Sequence, residues 1–213
     1  MIRAVIFDFD GVIADTMNDN FIAWQYAFLK YNIQIEKKAY FLLEGMGPTS
    51  IANYFLDENS VDNTLSTEIV LQKEQYYKKH NKFKVYSEIY TIFDHLEKNK
   101  ILIGIVTGAS RERIIGTLEK NLLDKTSILI TSNDVVKTKP DPEPYQKAID
   151  ILNLSSNECL VIENAILGIK SAKAAGCMCF AIETTLDCKS LINSDMCFKD
   201  HANLMNYLIE ELR

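Results

Sequence analysis

Two acidic residues near the start of the chain could share one chemical site. Asp8 and Asp10 follow a short apolar run and are separated by one residue. In an extended chain, side chains two residues apart leave the same face, so these carboxylates would lie about 7 Å from each other. Such a pair can supply a nucleophile and a general acid or base. Taken alone, the pattern is more typical of a buried strand that ends in an acidic turn.

Two further segments could bind a phosphate group. Thr107 and Gly108 would offer a hydroxyl and a backbone N–H at the start of a helix opened by Ser110, where anions are favoured. A turn followed by a serine helix cap explains the same residues. Lys139 precedes Pro140, which keeps the lysine backbone extended. The ammonium group could therefore reach inward, although a loop lysine is often solvated.

A third segment offers oxygen atoms to a metal. Glu163 and Asn164 follow another apolar run. Carboxylate and amide oxygens suit Mg²⁺, which prefers hard oxygen ligands in an octahedron. The alternative is a strand end whose asparagine caps the following helix.

The elements that would position these groups alternate along the chain. Short apolar runs predict five buried strands, at residues 4–9, 101–106, 128–130, 160–162 and 178–182. Helical periods predict helices at residues 87–99, 110–121, 143–153, 165–175 and 201–212. This alternation predicts an α/β fold with a doubly wound parallel sheet covered on both faces. Ligands bind beyond the carboxyl ends of such strands, where the polar segments lie.

One long segment departs from the alternation. It contains helical patterns at residues 19–31, 37–43, 49–55 and 64–80 but no convincing strand. We therefore expect an inserted helical cap domain at residues 16–83. The core domain would comprise residues 1–15 and 84–213.

Composition and net charge disfavour several classes of binding partner. The 213 residues are 47% hydrophobic and 24% charged, as in ordinary globular proteins, and the net charge of −6 disfavours nucleic acid and anionic membranes. No run approaches the ~18 apolar residues of a membrane span, and the N-terminus turns acidic too early for a signal peptide. We expect a cytoplasmic monomer. Its five cysteines are interpreted as buried reduced thiols rather than metal ligands.

Four motifs, in their order along the chain, resemble those of the haloacid dehalogenase superfamily. They read Asp-Phe-Asp-Gly-Val, Val-Thr-Gly-Ala-Ser, Lys-Pro-Asp-Pro-x-x-Tyr and Val-Ile-Glu-Asn-Ala-x-x-Gly-Ile-x-Ser-Ala-x-x-Ala-Gly. The resemblance spans nearly the whole chain and is strongest to the branch containing β-phosphoglucomutase and sugar-phosphate phosphatases. It implies a Rossmann-like core, a helical cap after the first motif, and phosphoryl transfer.

The resemblance also implies a role for each motif residue. Asp8 would attack phosphorus and form an aspartyl-phosphate. Asp10 would protonate the leaving oxygen and then activate water. Lys139, together with Thr107 and Gly108, would bind the phosphate and offset its charge.

A Mg²⁺ site is implied by the same resemblance. Its ligands would be the Asp8 carboxylate, the Asp10 main-chain carbonyl and Asn164. Many relatives have aspartate where this chain has Asn164, which removes one negative charge and weakens the metal site unless Glu163 contributes. Glu163 is therefore considered as a further ligand.

The choice of reaction depends on a few positions. Asp10 argues against family dehalogenases, which need no second acid, and against phosphonate cleavage, which has a small residue there. β-Phosphoglucomutase has a histidine where this chain has Asn20, and an arginine in the loop that corresponds to residues 44–49, which contains none here. We therefore expect a phosphatase acting on a small phosphorylated metabolite, such as a sugar phosphate. The alternatives are a phosphosugar mutase and a catalytically weak binding or regulatory relative.

One cap residue could contact the substrate. Lys73 is similar in position to a substrate-contacting cap lysine. It also begins a run of basic residues, Lys73, Lys78, Lys79, Lys82 and Lys84. Such a run favours a solvated helix face.

Overall fold

The computed structural model describes residues 1–212 and contains a six-stranded parallel sheet. Its strands are β1 Ala4–Phe7, β2 Leu102–Val106, β3 Ile128–Ile130, β4 Cys159–Glu163, β5 Met178–Ile182 and β6 Met196–Phe198. In space they follow the order β3-β2-β1-β4-β5-β6, and each neighbouring pair is parallel. Because β1 lies between β2 and β4, the segments that follow these strands meet at one edge. The predicted doubly wound α/β fold is confirmed.

Helices cover both faces of this sheet. They are α1 Met17–Leu29, α2 Lys37–Leu42, α3 Pro48–Glu58, α4 Ser66–His80, α5 Ser87–Lys98, α6 Arg111–Thr117, α7 Lys120–Lys125, α8 Glu143–Leu152, α9 Ile166–Ala174 and α10 His201–Glu211. On one face, Phe93 of α5 and Leu204 of α10 share a buried cluster with Phe7. On the other, Ile169 of α9 packs with Ile6. No helix within residues 1–212 is both long and apolar enough to span a bilayer.

The first four helices, α1 to α4, all lie between β1 and β2 in the chain. Residues 17–80, called the cap below, have a hydrophobic cluster of their own. Trp24 and Phe28 of α1 stack at 5.7 Å between ring centres, and Phe28 meets Phe55 of α3 edge to face. The aromatic residues of this segment therefore hold its helices together.

The helix predicted at residues 110–121 is wrong, because two helices, α6 and α7, occupy this segment. Leu118 and Glu119 between them have extended backbone angles. Leu118 is buried in the main hydrophobic cluster. Leaving the helical path lets the chain place this side chain against the core, and the break leaves α6 only seven residues long.

The prediction for the cysteines is correct in part. Cys159, Cys177 and Cys179 are buried free thiols, as expected. Cys188 and Cys197 instead form a disulfide, with their Cα atoms 5.9 Å apart. The pairing arises because the chain after β5 returns to the sheet as β6, a three-residue strand that the sequence pattern did not predict.

Candidate active site

Because β1 and β4 are neighbours in the sheet, the acidic residues that follow them lie side by side. β1 and β4 are in register, with Phe7 opposite Ile162. The Asp8 backbone N–H continues this pairing by donating to the Ile162 carbonyl at 2.9 Å. Asp8 therefore leaves the sheet next to Glu163, as expected for strand ends in a doubly wound sheet.

Lys139 joins these two carboxylates. Its Nζ lies 2.6 Å from Asp8 Oδ1 and 2.7 Å from Glu163 Oε1, and it also donates to the Val106 carbonyl at 3.1 Å. The lysine side chain is only 2% exposed. The loop lysine thus points inward, and its ammonium group bridges the ends of β1, β2 and β4.

Charges at this bridge act on each other strongly. Burial would lower the pKa of Lys139, but the Asp8 and Glu163 carboxylates outweigh it and raise that pKa above its ordinary value. Burial raises the pKa of Asp8, which the Lys139 charge opposes. Lys139 is therefore a permanent cation, and its charge offsets part of the rise that burial causes in the pKa of Asp8.

Glu163 has a full set of protein partners. Oε1 accepts from Lys139 and, at 2.8 Å, from the Tyr145 hydroxyl. Oε2 accepts from the backbone N–H groups of Asn164 at 3.0 Å and Ala165 at 3.2 Å. A Cβ at Gly168 would come within 1.8 Å of Oε1, so this position requires glycine. The carboxylate is fixed in place below Lys139.

The Asn164 side chain is held in place through its amide nitrogen. Nδ2 donates to the hydroxyls of Thr184 at 3.2 Å and Thr185 at 2.8 Å, in the loop after β5. Oδ1 is buried and has no hydrogen-bond partner among residues 1–212. Gly11, with φ of +79°, lets the first motif approach so closely that a Cβ there would lie 2.2 Å from Nδ2. The N-cap of α9 is Ala165, so the alternative that Asn164 caps this helix is wrong.

Asp10 is surrounded by donors from both parts of the chain. Its Oδ1 accepts from Thr16 Oγ1 at 2.5 Å and from Asn20 Nδ2 at 3.0 Å. Arg113 of α6 also donates to this oxygen through Nη2. Asp10 is therefore connected to the start of the cap and to the helix that follows β2.

Arg113 was not identified from the sequence. Its side chain is buried, its Nη1 lies 3.4 Å from Asn20 Oδ1, and its guanidinium carbon lies 4.8 Å from the centre of the Tyr77 ring in α4. It therefore links the core to two cap helices. Its place three residues after Ser110, one helical turn from the phosphate-binding motif, is the only sequence signal that pointed to it.

The second motif has the predicted helix cap. Ser110 Oγ accepts from the Arg113 N–H at 3.3 Å, and Thr107 Oγ1 accepts from the Ala109 N–H at 3.1 Å. Thr107 and Gly108 line a small space beside Lys139. The serine cap and the predicted phosphate-binding role are compatible, since the cap uses Ser110 and the predicted role uses Thr107 and Gly108.

The cap closes over these strand ends. A Cβ at Gly108 would lie 3.0 Å from the Met46 carbonyl of the cap. The cavity between cap and core is about 30 Å³ and is lined by Asp8 and Asp10 from the core and by Trp24 and Glu44, among others, from the cap. This volume holds about two water molecules, which is too little for a metabolite.

Lys73 also lines this cavity. It is 2% exposed, its Nζ forms an ion pair with Glu74 at 2.8 Å, and it lies 5.5 Å from the centre of the Trp24 ring. The expectation of a solvated helix face is therefore wrong for Lys73. The amphipathic turn of α4 points this one lysine inward while Lys78 and Lys79 remain exposed.

Comparisons with known proteins agree with the four motifs. A validoxylamine A 7'-phosphate phosphatase from Streptomyces hygroscopicus subsp. limoneus is 34% identical over 110 residues, about half of each chain (51% of this one and 52% of the relative). A β-phosphoglucomutase from Bacillus subtilis is 25% identical and aligns with 98% of this chain and 94% of its own. The crystal structure of a hydrolase from Pseudomonas syringae superposes with a TM-score of 0.88 at 22% identity, covering 99% of this chain and 100% of that one. The sequence model of the haloacid dehalogenase-like hydrolases matches residues 5–182, and the chain belongs to this family.

Proposed function

We propose that the protein is a Mg²⁺-dependent phosphatase that hydrolyses a small phosphorylated metabolite of the sugar-phosphate type through an aspartyl-phosphate on Asp8. The observation that carries this proposal is the buried Lys139–Asp8 ion pair at the meeting point of the strand ends. A carboxylate held beside a permanent cation can accept a phosphate dianion without an uncompensated build-up of negative charge.

In the first step, an Asp8 carboxylate oxygen forms a bond to phosphorus as the bond to the leaving oxygen breaks. Asp10 delivers a proton to that oxygen. In the second step, Asp10 takes a proton from water, which attacks phosphorus and releases Asp8 and inorganic phosphate. Lys139, the Thr107 hydroxyl and the Gly108 N–H bind the phosphoryl oxygens.

The residues present fit a Mg²⁺ site. Residues 1–212 contain no group of three or more His, Cys, Asp or Glu side chains placed to hold a metal. The proposed ligands are of another kind, since the Asp10 main-chain carbonyl and the Asn164 amide join the Asp8 carboxylate. The unpaired, buried Oδ1 of Asn164 supports this assignment, because such an oxygen is costly unless a donor or a cation occupies it. When bound, Mg²⁺ would withdraw charge from the phosphoryl oxygens.

We assign Glu163 a positioning role rather than that of a ligand. Its two oxygens already accept four hydrogen bonds from Lys139, Tyr145 and two backbone N–H groups. Direct ligation would break some of these. The second negative charge instead keeps Lys139 protonated and directed toward Asp8.

Two features of the site favour hydrolysis over a mutase reaction. Asn20 donates to Asp10 from the place where β-phosphoglucomutase has a histidine. The cap loop at residues 44–49 has no arginine that would hold the phosphate at the far end of a phosphosugar. The cap would move away to admit the substrate and cover the site during the reaction.

The test is release of inorganic phosphate from p-nitrophenyl phosphate and from a panel of sugar phosphates, with and without Mg²⁺. We expect Mg²⁺-dependent release that is lost in Asp8→Asn. Conversion of β-glucose 1-phosphate to glucose 6-phosphate faster than phosphate release would identify a mutase instead. No turnover of any panel member with Mg²⁺ would leave only a binding role.

A further inference from the structure

On the cap side, the cavity is lined by a buried carboxyl group, that of Glu44. Glu44 is 8% exposed, and its Oε2 is buried with no hydrogen-bond partner among residues 1–212. Burial, followed by the negative charge of Asp10, raises the pKa of Glu44 to about 7, while the Tyr40 hydroxyl opposes the change. A buried carboxyl group in this state lacks the compensation that folded proteins normally provide.

Glu44 lies close to the reacting groups. The next residue, Gly45, packs on Lys139, and a Cβ at Gly45 would lie 3.3 Å from Lys139 Cδ. Gly45 has φ of +96°, which allows the loop to turn there. Glu44, Asp8 and Asp10 line the same cavity. The acid is therefore within reach of the group that leaves when phosphate is transferred to Asp8.

The cations on this side are already neutralised. Arg113 is paired with Asp10, and Lys73 is paired with Glu74. Glu44 forms no ion pair within residues 1–212. Arg113 and Lys73 thus face the three carboxyl groups of Asp10, Glu74 and Glu44, and residues 1–212 direct no unpaired cation at the leaving group from the cap side. A second phosphate or a carboxylate here would lose its hydration without a new counterion.

We propose that Glu44 is a specificity residue, which selects leaving groups that present a hydroxyl or ammonium donor to the cap side of the cavity and rejects leaving groups that carry a second anion. The inference rests on the proposed phosphatase function and names its substrate class, a phosphorylated polyol or aminopolyol. A donor from the substrate would complete the hydrogen bonding of Oε2, and an ammonium would also supply the missing positive charge.

Three six-carbon sugar derivatives that share a phosphate at C6 and differ at C1 or C2 test this idea in the wild-type protein with Mg²⁺. Glucosamine 6-phosphate carries an ammonium, glucose 6-phosphate a hydroxyl, and 6-phosphogluconate a carboxylate. Inorganic pyrophosphate adds a leaving group that is itself an anion. We expect kcat/KM to be highest for the amino sugar and at least about tenfold lower for the two anionic leaving groups, the size expected for one charge-assisted hydrogen bond.

Two substitutions assign the preference to Glu44. Glu44→Gln keeps the shape and removes the charge, and it should reduce the ratio of kcat/KM for glucosamine 6-phosphate over 6-phosphogluconate about tenfold. Glu44→Lys should invert the ratio. Glu68→Gln, on the exposed surface of the cap, is the matched control and should keep the wild-type ratio.

The outcomes separate this inference from the proposed function. If neither p-nitrophenyl phosphate nor any panel member releases phosphate, the proposed function fails. If phosphate is released but wild type prefers 6-phosphogluconate or pyrophosphate, only the role of Glu44 is overturned. An unchanged ratio in a folded Glu44→Gln protein overturns it as well, and the wild-type ranking decides the matter if that variant does not fold.

Discussion

Replacing Lys139 with methionine tests the buried charge bridge on which the site depends. The change keeps the length of the side chain but leaves the carboxyl groups of Asp8 and Glu163 buried without their shared cation. Removing one partner of a buried ion pair costs about 3–5 kcal/mol. Both carboxyl groups lose the same ammonium at once, so we expect a loss in the upper part of this range.

The measurement is the free energy of unfolding in urea at pH 8, followed by circular dichroism. EDTA is added so that no metal replaces the lysine. Lys125→Met is the matched control, because Lys125 pairs with Asp94 and Glu97 on the surface, where solvent screens the charges. Its loss should stay below about 1 kcal/mol. A Lys139→Met protein as stable as the Lys125→Met control would refute the argument that this bridge is energetically important.

Three further outcomes follow from individual contacts. Asp10→Asn should lower kcat/KM for an alkyl phosphate by about 10²–10⁴-fold but that for p-nitrophenyl phosphate by less, because nitrophenolate leaves without a proton. Equal losses in kcat/KM, which reports phosphoryl transfer to Asp8, would contradict the acid role. Asn164→Ala should raise the Mg²⁺ concentration for half-maximal activity and Asn164→Asp should lower it, whereas an unchanged midpoint in both titrations would remove Asn164 from the metal site. Burial lowers the pKa of His201, so the unfolded state binds a proton more readily and the free energy of unfolding should fall as pH drops below about 6.5. His201→Phe should lose this part of the pH dependence of unfolding. A wild-type slope of the unfolding free energy against pH in that variant would disprove the role of His201.

The core half of the site could be predicted because it follows from strand ends. Asp8 and Glu163 come directly after β1 and β4, and parallel strands in register place such residues side by side. Lys139 lies in a loop, so its inward direction depended on the motif rather than on a local pattern. The carboxylates that attract it are more than twenty residues away in the sequence.

The cap half could not be predicted in the same way. Arg113 and Glu44 become significant only when the cap folds against the core, which brings α6 to Tyr77 and the loop after α2 to Lys139. No periodicity encodes that contact. The break at Leu118 was missed for a related reason, since tertiary burial outweighed local helix propensity.

The proposed mechanism requires Asp8 to carry the phosphoryl group during turnover. The direct measurement is to quench the enzyme in acid during hydrolysis of p-nitrophenyl phosphate with Mg²⁺, reduce it with borohydride, and analyse the peptides by mass spectrometry. Reduction of an aspartyl-phosphate gives homoserine, so we expect this mass change at residue 8 and its absence when substrate is omitted. Modification of another residue, or full phosphate release by Asp8→Asn, would contradict it.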